Sequence, residues 1–331
     1  MASDKPDTGM SGAAGAASSG AEHCAPGAEG VAQPASEAVR ERLIALARGA
    51  SIETSARRGD EVSAYRGLLP RGTRVFVTWI PGATAAHAVD ISRRLREIGL
   101  HPVPHIAARE LSSEAEARSL VRQLRQEAAV TDLLLIAGDA PVARGPFADS
   151  LDLLRTGLLD RSGIERLGVA GYPEGHQRAG EPEWLDAFQR KRALAARQGL
   201  ELYVVTQFGF DGAAIVDWLK RLRAAGVQTP VWIGMAGPAQ VTTLVKYGIR
   251  CGIGNSLRLL KARPGQWAGL LTAQGPEPVL LAAAEAPEAL GIAGVHLFAF
   301  GGFARTAGWI ARVAAGEFTL SRSEGLRLRA D

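Results

Sequence analysis

Arg166-Leu-Gly-Val-Ala-Gly171 and Glu201-Leu-Tyr-Val-Val-Thr206 frame the stretch that decides the fold. Each is a short apolar run with β-branched residues, the composition of a buried strand. Between them, residues 184–198 place apolar groups at helical spacing. Strand, helix and strand in that order make one crossover unit of a parallel sheet. The pattern repeats outward in both directions. Upstream stand Ser51-Ile-Glu-Thr54, Arg74-Val-Phe-Val-Thr-Trp79, Pro102-Val-Pro-His-Ile106 and Asp132-Leu-Leu-Leu-Ile-Ala137. Downstream stand Pro230-Val-Trp-Ile-Gly234 and Gly294-Val-His-Leu-Phe-Ala-Phe300. Helical patterns separate or follow them at 84–98, 112–128, 147–158, 211–225, 238–248 and 302–316, with a short one near 60–69. Eight such units over residues 50–317 predict a (β/α)8 TIM barrel. The interval from 230 to 294 is about twice the others and predicts a helical insertion between strands 7 and 8, over 255–290. A doubly wound open sheet is the alternative. It would place a glycine-rich phosphate turn after the first strand, where none stands.

The ends have a different composition. Residues 1–36 are mostly Ala, Gly, Ser, Pro, Asp and Glu, too poor in large apolar groups to offset the entropy of ordering. They are expected to form a disordered tail, with the barrel at 37–320 and a frayed, charged end at 321–331. With 331 residues and 47% hydrophobic content, the chain can bury a sizeable core. Two cysteines, Cys24 and Cys251, exclude a disulfide framework and a multi-cysteine metal centre, and no cluster has metal-ligand spacing. Basic residues outnumber acidic ones by only 38 to 34, with no basic stripe, so no nucleic-acid partner is expected. No apolar run approaches membrane-spanning length and no signal h-region opens the chain, so neither a membrane nor export is expected. The protein is read as cytoplasmic.

In such a barrel the chemistry lies at the carboxyl ends of the strands. Six successive strands there end on a polar or ionisable side chain: Glu53, Thr78, His105, Asp139, Tyr172 and Gln207. Any one of them is a common turn or cap residue. Six in the same register point to a site. With no Gly-x-Ser-x-Gly elbow and no Walker loop, that site is expected to hold an organic cofactor or substrate.

These residues carry a family resemblance. Ser51-Ile-Glu53, Val77-Thr78, Pro104-His105-Ile106, Gly138-Asp139-Ala-Pro141, Ala170-Gly-Tyr-Pro-Glu-Gly-His176 and Val205-Thr-Gln-Phe-Gly-Phe-Asp211 occur in the order found in methylenetetrahydrofolate reductases. The chain resembles that family over roughly 50–212 and more weakly to about 305. The resemblance implies bound FAD, with NADH or NADPH as the electron donor. It also implies reduction of 5,10-methylenetetrahydrofolate to 5-methyltetrahydrofolate, or the reverse, in one-carbon metabolism such as methionine biosynthesis. Glu53 aligns with the family's proton donor, and Asp139 with the aspartate near flavin and folate. Gln207 aligns with the glutamine that binds the pterin or the nicotinamide. Thr78, His105, Tyr172 and His176 match flavin-contacting positions, and Asp186 and Lys191 are the nearest candidates for the FAD phosphate region. A homo-oligomer is the family's habit.

The chain also departs from that pattern. Thr54-Ser-Ala-Arg57 replaces the usual Phe-Phe-Pro-Pro, Ala137 stands where an arginine is common, and Phe147 where a tyrosine is. The loop Gly234-Met-Ala-Gly-Pro238 lacks the family's aromatic residue. The rival readings are a pterin-binding one-carbon transferase barrel without flavin, and a barrel that binds folate or a partner protein without turnover.

Overall fold

Eight parallel strands pair in chain order and close on themselves. They are β1 (Ser51–Thr54), β2 (Arg74–Val77), β3 (His101–Ala107), β4 (Asp132–Ile136), β5 (Arg166–Gly171), β6 (Glu201–Thr206), β7 (Val231–Ala236) and β8 (Ile292–Phe298). The closing pairs Ser51 with His296 and Ile52 with Leu297 exclude the open sheet. The computed structural model describes residues 37–57, 59–80, 82–176, 179–251, 275–321 and 325–329. The expected tail at 1–36 and residues 252–274, which include the first part of the expected insertion, lie outside the described residues. Of the insertion, one described helix, α9 (Glu277–Glu285), packs against the barrel through Val279, Leu280, Ala283 and Ala284.

The helices follow the sequence pattern closely. They are α1 (Glu37–Arg48), α2 (Gly59–Ser63), α3 (Ala85–Glu97), α4 (Glu114–Ala128), α5 (Ser150–Arg155), α6 (Glu181–Arg197), α7 (Gly212–Ala224), α8 (Val241–Cys251) and, after α9, α10 (Phe303–Ala314). Several start on a side-chain cap: Thr84 for α3, Ser113 for α4, Asp149 for α5 and Asp211 for α7. Each cap oxygen accepts from a backbone N–H that the first turn would otherwise leave unpaired. None of the described helices is long and apolar enough to cross a membrane.

Within the expected frayed end at 321–331, residues 325–328 are instead a strand. Phe318–Ser321 (β9) and Gly325–Leu328 (β10) form an antiparallel hairpin. Phe318 and Leu326 alternate inward and join the core that contains α1 and α10. The Arg40 guanidinium lies 4.5 Å from the Phe318 ring centre and donates to the Gly316 and Phe318 carbonyls. The charge around them masks two short runs of period two, at 318–321 and 325–328.

Strand side chains alternate between the helix layer and the barrel interior. Ile52, Val75, Val204 and Leu297 point out into the large core beneath the helices. Phe76, Val103, Leu134, Tyr203 and Val205 fill the interior. At the amino end of the barrel, Asp132 is fully buried. The Tyr203 hydroxyl donates to its Oδ1 at 2.6 Å, and Arg166 donates to Oδ2 at 3.4 Å. Arg74 stands 4.0 Å away and rests 4.4 Å over the Trp232 ring. This group plugs the bottom of the barrel and leaves the opposite end for chemistry.

Gly234, in the middle of β7, is required by close approach. A Cβ there would sit 2.2 Å from the Thr206 carbonyl oxygen. The Gly234 N–H meanwhile donates to Thr206 Oγ1 at 2.8 Å, which holds β6 and β7 together. Gly234→Ala must push the strands apart, and is expected to lower stability by about 1–3 kcal/mol, as overpacking does. A urea unfolding midpoint equal to wild type would contradict this.

Candidate functional site

Ser51 and Glu53 share the inward face of β1 because Ile52 between them points into the outer core. Glu53 therefore projects into the carboxyl-end mouth, level with Phe76 on β2. Burial alone pushes its carboxyl up to about 8. No cation offsets that penalty among the described residues, so the acid keeps its proton at neutral pH.

His105 stands on β3, two strands along from Glu53, and is only 9% exposed. Its ring meets Phe76 edge-on, with centres 6.0 Å apart. Burial lowers its pKa to about 4, which keeps the imidazole neutral. Its Nε2 has no hydrogen-bond partner among the described residues. A buried polar atom left unpaired is costly, and such atoms mark places where a ligand completes the set. Phe76 also packs at 4.4 Å against His296, whose Nδ1 lies 2.9 Å from Ser51 Oγ.

The other strand ends are held differently. Thr78 donates from both its hydroxyl (2.9 Å) and its N–H (3.1 Å) to the Thr54 carbonyl, so its oxygen retains only acceptor capacity. Gln207 accepts from the Phe208 N–H at 3.0 Å through Oε1, leaving its amide nitrogen as the group suited to a ligand. Asp139 is exposed on the loop after β4. Tyr172 and His176, in the loop after β5, touch ring to ring at 4.4 Å.

Asp186 and Lys191 are not brought together. Five residues apart on α6, they point about 140° apart around the helix axis. Asp186 is exposed and pairs with Arg190 at 2.8 Å. Lys191 is half-buried. Burial lowers its pKa, while the Asp149 carboxylate works in the opposite direction.

An aromatic wall is the feature that strand-end inspection misses. Phe208, Phe298 and Phe300 form one cluster, with centre distances of 5.0–6.2 Å. Phe210 joins it through Phe208, and Tyr247 of α8 through Phe300 at 4.8 Å. The wall runs from the end of β6 to the end of β8. Phe300 adopts φ +46° and Gly301 φ +81°, a tight turn closed by Gly302 N–H donating to the Ala299 carbonyl at 2.7 Å. The signal is present as Phe-Gly-Phe at 208–210 and Phe-Ala-Phe at 298–300. Phenylalanine at such positions also fits plain core packing, so spacing does not single it out.

The mouth therefore combines a protonated carboxyl, an unpaired neutral imidazole, an amide and an apolar cluster of mostly edge-on and tilted aromatic rings. That set suits a planar heteroaromatic ligand and a proton transfer. No metal-binding cluster occurs among the described residues.

The sequence profile of the family described as methylenetetrahydrofolate reductase matches residues 66–246, more than half of the chain. Methylenetetrahydrofolate reductase 1 of Schizosaccharomyces pombe is 25% identical over 170 residues, covering 49% of this chain and 27% of that protein. The chain thus aligns with about a quarter of the length of that curated relative.

Proposed function

Because this chain belongs to the methylenetetrahydrofolate reductase family, we propose that it reduces 5,10-methylenetetrahydrofolate to 5-methyltetrahydrofolate at the carboxyl end of its barrel. NADH or NADPH is the electron source and FAD the resident cofactor in this reading. The observation that carries it is Glu53, a carboxyl that burial keeps protonated at the mouth.

The residues present fit a flavin. The unpaired Nε2 of His105 suits a ring or ribityl hydrogen bond. Thr78 can accept, and Tyr172 and His176 can line the outer part of the cofactor. A phosphate at α6 would have to compete with Asp186 for Arg190. Bound FAD would supply hydride transfer between the nicotinamide and the folate carbon.

The chain's own groups handle the proton and the charge. Opening the five-membered ring of the folate breaks a carbon–nitrogen bond, and the departing nitrogen needs a proton. Glu53 delivers it, and its raised pKa makes the transfer favourable near neutrality. The Asp139 carboxylate favours the cationic iminium left on the carbon. The Gln207 amide orients the pterin, or the nicotinamide when that occupies the same place. The aromatic wall excludes water from one side.

The test is the visible spectrum of the purified protein, read with and without added FAD. The expected result is an oxidised-flavin spectrum that bleaches anaerobically with NADH or NADPH and returns on addition of methylenetetrahydrofolate. A colourless protein that refuses FAD would overturn the flavin reading and favour a pterin-binding transferase.

A further inference from the structure

We propose that Arg109 is a positioning residue whose guanidinium fixes the loop at 138–148 and, through it, Asp139. The inference rests on the reading of Asp139 given above.

Arg109 sits in the single 3₁₀ turn, Ala108–Glu110, that follows β3. Its Nε donates to the Ala140 carbonyl at 2.7 Å, and its two terminal nitrogens donate to Pro141 at 2.6 Å and to Ala148 at 3.2 Å. Its backbone adds two bonds: Arg109 N–H to the Ala137 carbonyl, and Arg144 N–H to the Arg109 carbonyl, both 2.9 Å. Residues 137–149, between β4 and α5, form a long connection without helix or strand of its own. Connections of that length are uncommon in compact domains unless they serve function. Arg109 binds this one at both ends, with Ala140 and Pro141 beside Asp139 and Ala148 at the entry to α5. A planar fork of fixed donors suits that task, and a lysine can offer only one point charge.

Arg223 also clamps carbonyls, at the opposite end of the barrel. Arg223 donates to Val227, Thr229, Leu290 and Gly291. Those carbonyls precede β7 and β8, the face associated with stability in this fold. Arg109 performs the same service on the face where chemistry is expected.

The experiment compares Arg109→Lys, Arg223→Lys, Asp139→Asn and the double variant R109K/D139N in the full-length protein loaded with FAD. Hydrogen exchange of the 138–148 amides is followed together with folate reduction. In R109K these amides should exchange about tenfold faster or more, with the global unfolding midpoint unchanged. Turnover should fall by about tenfold to 10²-fold, the cost of misplacing a site group by about 1 Å. R223K should lower the unfolding midpoint and leave loop exchange and turnover at the wild-type level. The double variant should lose no more turnover than D139N alone, within about twofold, because Arg109 acts through Asp139. Unchanged loop exchange in R109K would overturn the clamp whatever the activity. Losses that multiply in the double variant would overturn the link to Asp139. Absence of folate turnover in the wild type would defeat the functional reading and the link to Asp139 with it, while the exchange result still decides the clamp.

Discussion

Glu53→Gln is expected to lower folate reduction by about 10²–10⁴-fold, the range supplied by a positioned general acid. Glutamine preserves size and hydrogen bonding but has no proton to give. The wild-type rate should decline as pH rises through about 8, where Glu53 ionises. E53Q should lack that alkaline limb. Stability offers an independent reading of the same carboxyl. Its folded pKa lies above the ordinary value of 4.5, so the folded state holds a proton that the unfolded state releases. Wild-type stability should therefore be fullest below 4.5 and should fall as pH rises towards about 8. E53Q should escape this fall and be the more stable of the two at alkaline pH, by urea unfolding. Full activity in E53Q would remove Glu53 from the proton transfer. Equal pH dependence of stability would mean that the carboxyl is not desolvated in the folded protein.

The largest stability effect should come from the other end of the barrel. Asp132→Ala would leave Arg166 and the Tyr203 hydroxyl without their shared acceptor, and Arg74 without the carboxylate 4.0 Å away. Breaking a buried ion pair by removing one partner costs about 3–5 kcal/mol, mainly from the uncompensated charge. Tyr203→Phe should cost about 1–3 kcal/mol, because it removes one bond to a buried carboxylate. Both variants should bind cofactor and turn over normally at temperatures where they remain folded, since they lie far from the mouth. A loss below about 1 kcal/mol for D132A, measured by denaturant unfolding, would show that water or rearrangement satisfies the arginines.

The two predictions divide the barrel by function. Glu53 carries a desolvation penalty at the proposed place of proton transfer, and Asp132 carries one where the Tyr203 hydroxyl and Arg166 donate to it and Arg74 stands 4.0 Å away. Both carboxyls are raised in pKa by burial, and only the company they keep separates their roles.

Much of this architecture is legible in the order of the residues. The strands and helices follow from apolar periods of two and 3.6, which are local properties of a few consecutive residues. The units, counted along the chain, indicate a barrel, and the barrel indicates which end of each strand to inspect. Glu53, Thr78, His105, Asp139, Tyr172 and Gln207 become candidates in that way. Other features depend on residues far apart in sequence and leave no local trace. Closure of β8 on β1 requires pairing across most of the chain. Asp132 finds Tyr203 71 positions away, and Arg40 reaches the Gly316 and Phe318 carbonyls at separations of 276 and 278. The aromatic wall draws on three separate segments, and the Arg109 fork closes on carbonyls about 30 to 40 positions downstream. The proton on Glu53 is likewise a tertiary fact. Sequence alone determined that a carboxyl stands at the end of the first strand. Only the closed barrel, by desolvating it without providing a cation, raised this carboxyl's pKa to about 8.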